Sequence, residues 1–241
     1  MTTALVVMCI AGLITGFSKF SIGGMGLIVL PIVMIAFPGP EALGVLLPLY
    51  VITDVMAVYS YRRHISWPVL ARFLPLAFLG VFIGAHLLSG LDASQFVIML
   101  GVIMIGMIAL GVYLDTQQAT FMQKPITAYS MGFAGGLVSM VSNASGPLIS
   151  LFLLEQKLSK DSYVSTRAWA FFLINLVKLP MYLSLDLLTP ESLTMSAYAL
   201  PGLLVGILIG YHFLKHVKPA HFKWLVRIIS TIAAMKLMLF S

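Results

Sequence analysis

Two apolar stretches of the chain are interrupted by glycines and small polar residues, a combination suited to binding an anion. Residues 12–31 read GLITGFSKFSIGGMGLIVLP, and residues 132–151 read GFAGGLVSMVSNASGPLISL. A helix that breaks inside apolar surroundings exposes backbone N–H groups and the positive end of its dipole, and both attract anionic groups. These two stretches therefore predict a binding site for a small anion.

The candidate ligands at both breaks are a cation, hydrogen-bond donors and glycines that let the backbone approach a ligand. In the first stretch they are Lys19, Ser21, Gly23, Gly24 and Gly26. In the second stretch they are Ser142, Asn143, Ser145 and Gly146. The alternative is that glycines at a spacing of four only permit close packing of helices. That alternative is favoured for Gly12 and Gly16, Gly80 and Gly84, and Gly206 and Gly210. At the breaks a site is favoured, because burying polar residues has a cost that packing does not require.

Three more polar residues lie deep in apolar segments. A charge there costs about 2.5 to 3.5 kcal/mol even on a lenient insertion scale, so such residues face a cavity or a partner. Asn175 and Lys178 share a helix face and are candidate substrate ligands. Asp54 lies 121 positions before Asn175, faces it in the predicted arrangement, and is the candidate for proton coupling. A structural ion pair between Asp54 and Lys178 is an equally open interpretation.

Other titratable residues have simpler interpretations. Arg167 is expected near the cytoplasmic end of a span. There it could be part of the substrate entry pathway or an anchor at the membrane interface, and the anchor is favoured. His86 and His212 are 126 positions apart and could carry protons. Each lies near the end of a span, so an interfacial role is favoured.

Several chemistries have no support in the sequence. The histidines form no metal-ligand pattern with acids or with the single Cys9, and no GxxxxGK[ST] motif occurs. We therefore expect no metal, no cofactor, no catalytic residues and no ATP-driven step. The alternatives from other classes are an intramembrane enzyme and a non-transporting assembly subunit. No span pairs Ser with His convincingly, as a hydrolase requires, and an assembly subunit needs no Lys19 or Asp54 in the bilayer.

Composition assigns the chain to the membrane. Hydrophobic residues make up 60% of it, charged residues 9%, and the mean hydropathy is +1.04. Continuous apolar runs of about 20 residues predict helices rather than barrel strands. The net charge of +6 comes from basic residues in short loops beside these runs, so nucleic acid is not an expected partner. The predicted fold class is an all-α polytopic membrane protein, with residues 1–241 as a single transmembrane domain.

The apolar runs define two halves, with a polar linker at 115–124 between them. Each half is predicted to contain a broken stretch, built as a re-entrant hairpin of two half-length helices, followed by three spans. The broken stretches cover about 3–37 and 126–154. The spans cover about 42–61, 69–88 and 94–113 in the first half, and about 162–184, 195–214 and 221–240 in the second.

The two halves are related by sequence, as repeat 1 (about 1–114) and repeat 2 (about 125–241). Pro75-x4-Gly80-x2-Ile83-Gly84-x-His86 returns 126 positions later with the same spacing. Eleven of the 14 basic residues fall in loops and helix ends on the side of Arg62 and Arg63. The positive-inside rule then places this side in the cytoplasm and makes the repeats inverted.

The sequence resembles the TauE/SafE family over almost its whole length. The resemblance is carried by the glycine-rich stretch ending at Pro31, the YRRHISW loop at 61–67, the Gly80-x3-Gly84 span and Ser145-Gly146-Pro147. It implies a secondary transporter that exports sulfite or small organosulfonates, in bacteria mostly across the inner membrane. We expect proton coupling, with a small anion and the lipid bilayer as partners. Transport of another small organic anion stays open, as does a homodimer.

Overall fold

The computed structural model describes residues 2–21, 23, 25–116 and 119–217, and within these ranges the chain is helical with no strand. The prediction of an all-α fold is confirmed for this part of the chain. The predicted span at 221–240 lies outside the described residues. The helices are α1 Thr2–Phe20, α2 Gly26–Met34, α3 Glu41–Ser60, α4 Trp67–Leu88, α5 Ala93–Thr116, α6 Ala119–Met122, α7 Pro125–Ser142, α8 Gly146–Leu154, α9 Lys160–Ser184, α10 Pro190–Ala197 and α11 Leu200–His216.

Three of the described helices are long and apolar enough to cross a membrane: Thr3–Phe20, Glu41–Ser60 and Trp67–Leu88. A fourth span is obtained if α10 and α11 are joined, although they are bent by 51°. The span predicted at about 195–214 corresponds mainly to α11, and the chain bends between α10 and α11 inside the predicted range. Pro201 lies in the first turn of α11, where its missing N–H costs no intrahelical hydrogen bond.

Both predicted breaks are present, but the expected half-length helices are only partly correct. The first helix of each pair is nearly full length, with 19 residues in α1 and 18 in α7, and only α2 and α8, with nine each, are short. Polar Ser18 and Lys19 continue α1 rather than end it. The left-handed conformation at Gly23 (φ 86°) and Asn143 (φ 54°) is incompatible with a continuing helix.

Glycines allow two helix pairs to pack with their backbones in contact. Along the α1–α11 seam, a Cβ at Gly12 would overlap the carbonyl oxygen of Ala199, and along the α4–α7 seam one at Gly132 would overlap that of Phe73. The packing interpretation of Gly12 and Gly16, Gly80 and Gly84, and Gly206 and Gly210 is confirmed. The other glycines that contact the partner helix in these seams are Gly16, Gly80, Gly84, Gly136, Gly202, Gly206 and Gly210.

The two seams have corresponding contacts. Gly12 meets Ala199 and the N–H of Leu203, while Gly132 meets Phe73 and the N–H of Ala77. These partners are also 126 positions apart in sequence, as the motif residues are. Helices α3 and α9 pack against one another, as do α2 and α8.

Helix α9 is joined to the ends of two other helices by basic side chains. At its start, Lys160 Nζ donates hydrogen bonds to the carbonyls of Leu214 (2.5 Å) and Val217 (2.7 Å), at the end of α11. A cation at a helix C-terminus is stabilised by the carbonyl groups that lack intrahelical partners. Two turns further along, Arg167 makes the corresponding contact with the end of α1.

Candidate functional site

A small cavity lies between the two breaks. Its volume is about 40 Å³, and since a water needs roughly 10 to 15 Å³ of such space, it has room for a small solute. Its walls come from α1, α2, α3, α7, α8 and α9. The lining residues are Thr15, Ser18, Lys19, Gly23, Val29, Tyr50, Ser139, Asn143, Gly146, Arg167, Phe171 and Asn175.

Asp54 is at the centre of a buried polar network beside this cavity. Its carboxylate accepts hydrogen bonds from Lys19 Nζ at 2.5 Å and from Asn175 Nδ2 at 2.6 Å, and its side chain has no solvent exposure. The predicted proximity of Asp54 and Asn175 is confirmed. The alternative Asp54–Lys178 ion pair is wrong, because Lys19 reaches the carboxylate from α1 and Lys178 is engaged elsewhere.

Lys178 links the network to the second break. Its Nζ donates hydrogen bonds to Asn143 Oδ1, to Asn175 Oδ1 at 3.2 Å and to Ser139 Oγ at 3.5 Å. The predicted shared face of Asn175 and Lys178 is confirmed by this contact. A continuous chain of hydrogen bonds therefore runs from the ammonium of Lys19 at the first break to the amide of Asn143 at the second.

Two aromatic rings hold the Lys19 ammonium from the sides. Its Nζ lies 4.2 Å from the centroid of the Phe171 ring and 5.4 Å from that of Tyr50. Cation–π contacts of this kind stabilise a desolvated ammonium. Tyr50 and Phe171 are 121 positions apart, the same separation as Asp54 and Asn175. Helices α3 and α9 therefore contribute two pairs of residues with the same sequence separation to the site.

Arg167 is the functional candidate that sequence reasoning placed wrongly. Its side chain is 2% exposed and lines the cavity, so it is not an interfacial anchor. Its Nη2 donates to the carbonyls of Lys19 and Ser21, both at 2.9 Å, and to that of Ser18 at 3.3 Å. A signal was available: Arg167 precedes Lys178 by 11 positions, or three helical turns, so both lie on one face of α9.

The buried polar groups without a hydrogen-bond partner among the described residues include three donors beside the breaks. They are Asn143 Nδ2, Ser145 Oγ and Arg167 Nη1. Burying such groups is unfavourable unless something satisfies them. Since all three can donate, a bound acceptor such as an oxyanion would satisfy them.

The predicted ligands are divided between the cavity wall and its surroundings. Lys19, Gly23, Asn143, Gly146 and Asn175 line the cavity. The others have different places. The Ser21 carbonyl accepts a hydrogen bond from Arg167, and the Ser142 hydroxyl donates to the Val138 carbonyl at 2.7 Å. Ser145 precedes α8 and Gly26 begins α2. Gly24 lies outside the described residues.

Five further residues line the cavity that sequence reasoning did not name as ligands: Thr15, Ser18, Tyr50, Ser139 and Phe171. Each is an ordinary helix residue in the sequence, and only the packing of α1, α3, α7 and α9 around the breaks brings them together.

A second, wider cavity of about 580 Å³ lies beside the basic loop after α3. Arg62, Arg63 and His64 contribute to its wall, together with Tyr61 and Tyr211. The Tyr61 hydroxyl donates to the carbonyl of Phe20 at 3.1 Å, so this cavity adjoins the end of α1. The first break therefore lies next to a basic vestibule.

Comparison with known proteins assigns the chain to a family. A family model described as sulfite exporter TauE/SafE matches residues 8–237, nearly the entire sequence. Neither the curated proteins nor the solved structures yielded a match. The apolar helices and the buried charged network agree with a membrane transporter family. The chain belongs to the TauE/SafE sulfite exporter family.

Proposed function

We propose that this protein is a secondary transporter that exports a small sulfur-containing anion, sulfite or a small organosulfonate. The observation that carries the proposal is the set of buried donors without partners in the described part of the chain, Asn143 Nδ2 and Arg167 Nη1 at the cavity between the two breaks and Ser145 Oγ beside it. Family membership supports the class of substrate. Broken helices whose N-termini point at an anionic group are a recurring feature of secondary transporters.

The proposed architecture is a multi-pass protein of the bacterial inner membrane, one domain built from two inverted repeats. Residues 1–114 and 125–241 form the repeats, and the loop at 61–67 is cytoplasmic. The corresponding contacts of Gly12 and Gly132 support the repeat, and the loop charges support the orientation. Labelling of single cysteines in a Cys9→Ala background tests it. Labelling of residue 92 from the cytoplasmic side alone would rule out the orientation.

Proton coupling is the second part of the proposal. Asp54 is buried and Lys19 is its ion-pair partner. An anion that attracts Lys19 leaves this carboxylate without its cation, and a buried unpaired charge is strongly destabilising. Uptake of a proton by Asp54 removes that cost, so anion binding and proton binding favour one another. Movement of the two repeats against each other then exposes the site to either side.

The binding proposal is tested with purified full-length protein. Sulfite, sulfoacetate and methanesulfonate should raise its unfolding temperature, whereas chloride and acetate should have little effect. Ser145→Ala should weaken sulfite binding by about 0.5 to 1.5 kcal/mol, the value of one hydrogen bond. Ser142→Ala is the matched variant, with a smaller expected effect because its hydroxyl already donates to Val138. Preferential stabilisation by carboxylates would instead indicate another organic anion.

The coupling proposal is tested with Asp54→Asn. The amide keeps the size of the side chain, so the variant should bind sulfite but lose proton-driven accumulation in reconstituted vesicles. If Asp54 only stabilises the fold, expression and stability should fall while flux per folded molecule keeps its dependence on the proton gradient. Wild-type coupling in this variant would rule out a proton-carrying role.

A further inference from the structure

We propose that Arg167 is the fixed cation that binds the transported anion, and that Gly23 keeps open the space that its guanidinium occupies. The inference rests on the proposed function and adds the residue that holds the charge of the substrate.

The two terminal nitrogens of the Arg167 guanidinium have different environments among the described residues: Nη2 is hydrogen-bonded and Nη1 is not. Nη2 donates to three carbonyls at the end of α1, whereas Nη1 is buried and has no hydrogen-bond partner among the described residues. The side chain lines the cavity and is 98% buried, since its exposure is 2%. A buried charged donor without an acceptor is costly, and an oxyanion is the acceptor that best compensates it.

Among the described residues, the charge of Arg167 also has no carboxylate partner. In the described part of the chain, the ion pair at this site joins Lys19 to Asp54. Lys178 is held by the amides of Asn143 and Asn175 at the other break. Arg167 contacts neutral carbonyls and the ring of Tyr163, whose centroid lies 5.6 Å away. An anion that reaches the first break therefore meets an uncompensated positive charge.

Gly23 complements this arrangement. A Cβ built at this position would overlap Arg167 Nη1, and the φ of 86° is unfavourable for a residue with a side chain. Any substitution at Gly23 must therefore displace the guanidinium from its position. The glycine is required both by the backbone and by the arginine that occupies the space beside it.

The test measures the Kd of sodium sulfite by calorimetry on the purified full-length protein. Arg167→Lys keeps the positive charge, but one ammonium cannot both bind the α1 carbonyls and reach the cavity, because it lacks the planar fork. Its Kd should rise about 10- to 100-fold, as expected for a lost charge-assisted hydrogen bond. Gly23→Ala keeps the arginine in the sequence but displaces its guanidinium. The Kd of this variant should therefore also rise by about tenfold or more.

Each variant has a matched control. Lys160 is the other basic residue of α9 that binds a helix end, in this case the end of α11. Lys160→Met removes that contact and should leave the Kd of sulfite unchanged. Gly39→Ala introduces the same strain at a φ of 90°, in the α2–α3 connection, where the nearest side chains are those of Glu41 and Ala93. It should also bind sulfite as the wild type does. These controls separate loss of a ligand from loss of a helix cap or of backbone freedom.

The outcomes distinguish this inference from the proposed function. Weakened binding in Arg167→Lys and Gly23→Ala, with both controls unchanged, supports the role of Arg167. Wild-type affinity in Arg167→Lys would overturn it while leaving the transporter proposal intact. If Arg167→Lys does not fold, wild-type affinity in Gly23→Ala has the same meaning. A wild-type protein that binds no sulfite would overturn both proposals.

Discussion

The two breaks share a backbone design. Each follows a nearly full-length helix, contains a left-handed residue and leads into a nine-residue helix. The left-handed residues, Gly23 and Asn143, are 120 positions apart. The residues before the short helices, Met25 and Ser145, make no side-chain capping bond. The first-turn N–H groups of both short helices therefore receive no hydrogen bond from an N-cap side chain.

The side chains that complete the breaks differ. At the first, glycine leaves room for Arg167 from α9, and Lys19 is paired with a carboxylate. At the second, Asn143 supplies its own amide and holds Lys178, also from α9. The difference shows that similar backbones carry different charges. The first break has an ion pair and a guanidinium bound only by carbonyl groups, and the second has a cation held by amides. Binding is then expected to be stronger at the first.

The largest expected effect is on the ion pair. Lys19→Met leaves the Asp54 carboxylate buried and unpaired, at a cost of about 3 to 5 kcal/mol in the free energy of unfolding. Lys178→Met leaves only neutral acceptors without this donor, namely two amide oxygens and the Ser139 hydroxyl, at a cost of about 1 to 3 kcal/mol. Denaturant unfolding in detergent measures both. Adding Asp54→Asn to Lys19→Met should recover much of the loss, and equal losses in the two lysine variants would contradict the difference between the breaks.

The glycine seams, unlike the breaks, should respond equally in the two halves. Gly12→Ala and Gly132→Ala each place a methyl group against a backbone carbonyl, which requires the helices to separate. Overpacking of this kind costs about 1 to 3 kcal/mol. Gly101→Ala in α5, where nothing lies within 4 Å of the added atom, is the control and should not destabilise. Losses that differ markedly between the two seams would argue against equivalent repeats.

Much of the architecture was predictable because it depends on local patterns. The breaks follow from glycine and polar residues in apolar runs, and the proximity of Asp54 and Asn175 follows from their corresponding positions in two related halves. The lengths of α1 and α7 were not predictable from polarity. A buried network satisfies Lys19 within the helix, so the polar residue does not end it.

The pairing of side chains at the site, in contrast to the helix breaks, depends on tertiary contacts. Arg167 looked like an interfacial residue because its position near the start of α9 says nothing about the end of α1, which it binds. Likewise, Lys178 could be assigned to Asp54 or to another acceptor until the position of Asn143 was known. Pairings between distant segments are set by packing, and one sequence does not specify them.

A smaller effect is expected from exchanging the left-handed residue of the second break. Asn143→Gly keeps the backbone conformation, which glycine adopts readily, and removes both the amide that binds Lys178 and the unpartnered Nδ2. Sulfite affinity should fall by about 0.5 to 1.5 kcal/mol. Calorimetry on the folded variant measures it. A loss as large as that of Arg167→Lys would show that the second break binds the anion as strongly as the first.

The smallest effect is expected at the paired histidines, which occupy corresponding positions in the sequence of the halves but do not line the cavity between the breaks. His86 and His212 are on the exposed faces of α4 and α11, and the nearest ring to His212 is that of His216, with centroids 4.2 Å apart. His86→Gln and His212→Gln should each change the free energy of unfolding by no more than about 0.5 kcal/mol, as is usual for surface substitutions. Proton-driven sulfite flux in vesicles should keep its wild-type pH dependence, because neither side chain belongs to the network between Lys19 and Asn143. A shifted pH profile in either variant would mean that protons also reach the site through the histidines, and that Asp54 is not the sole carrier.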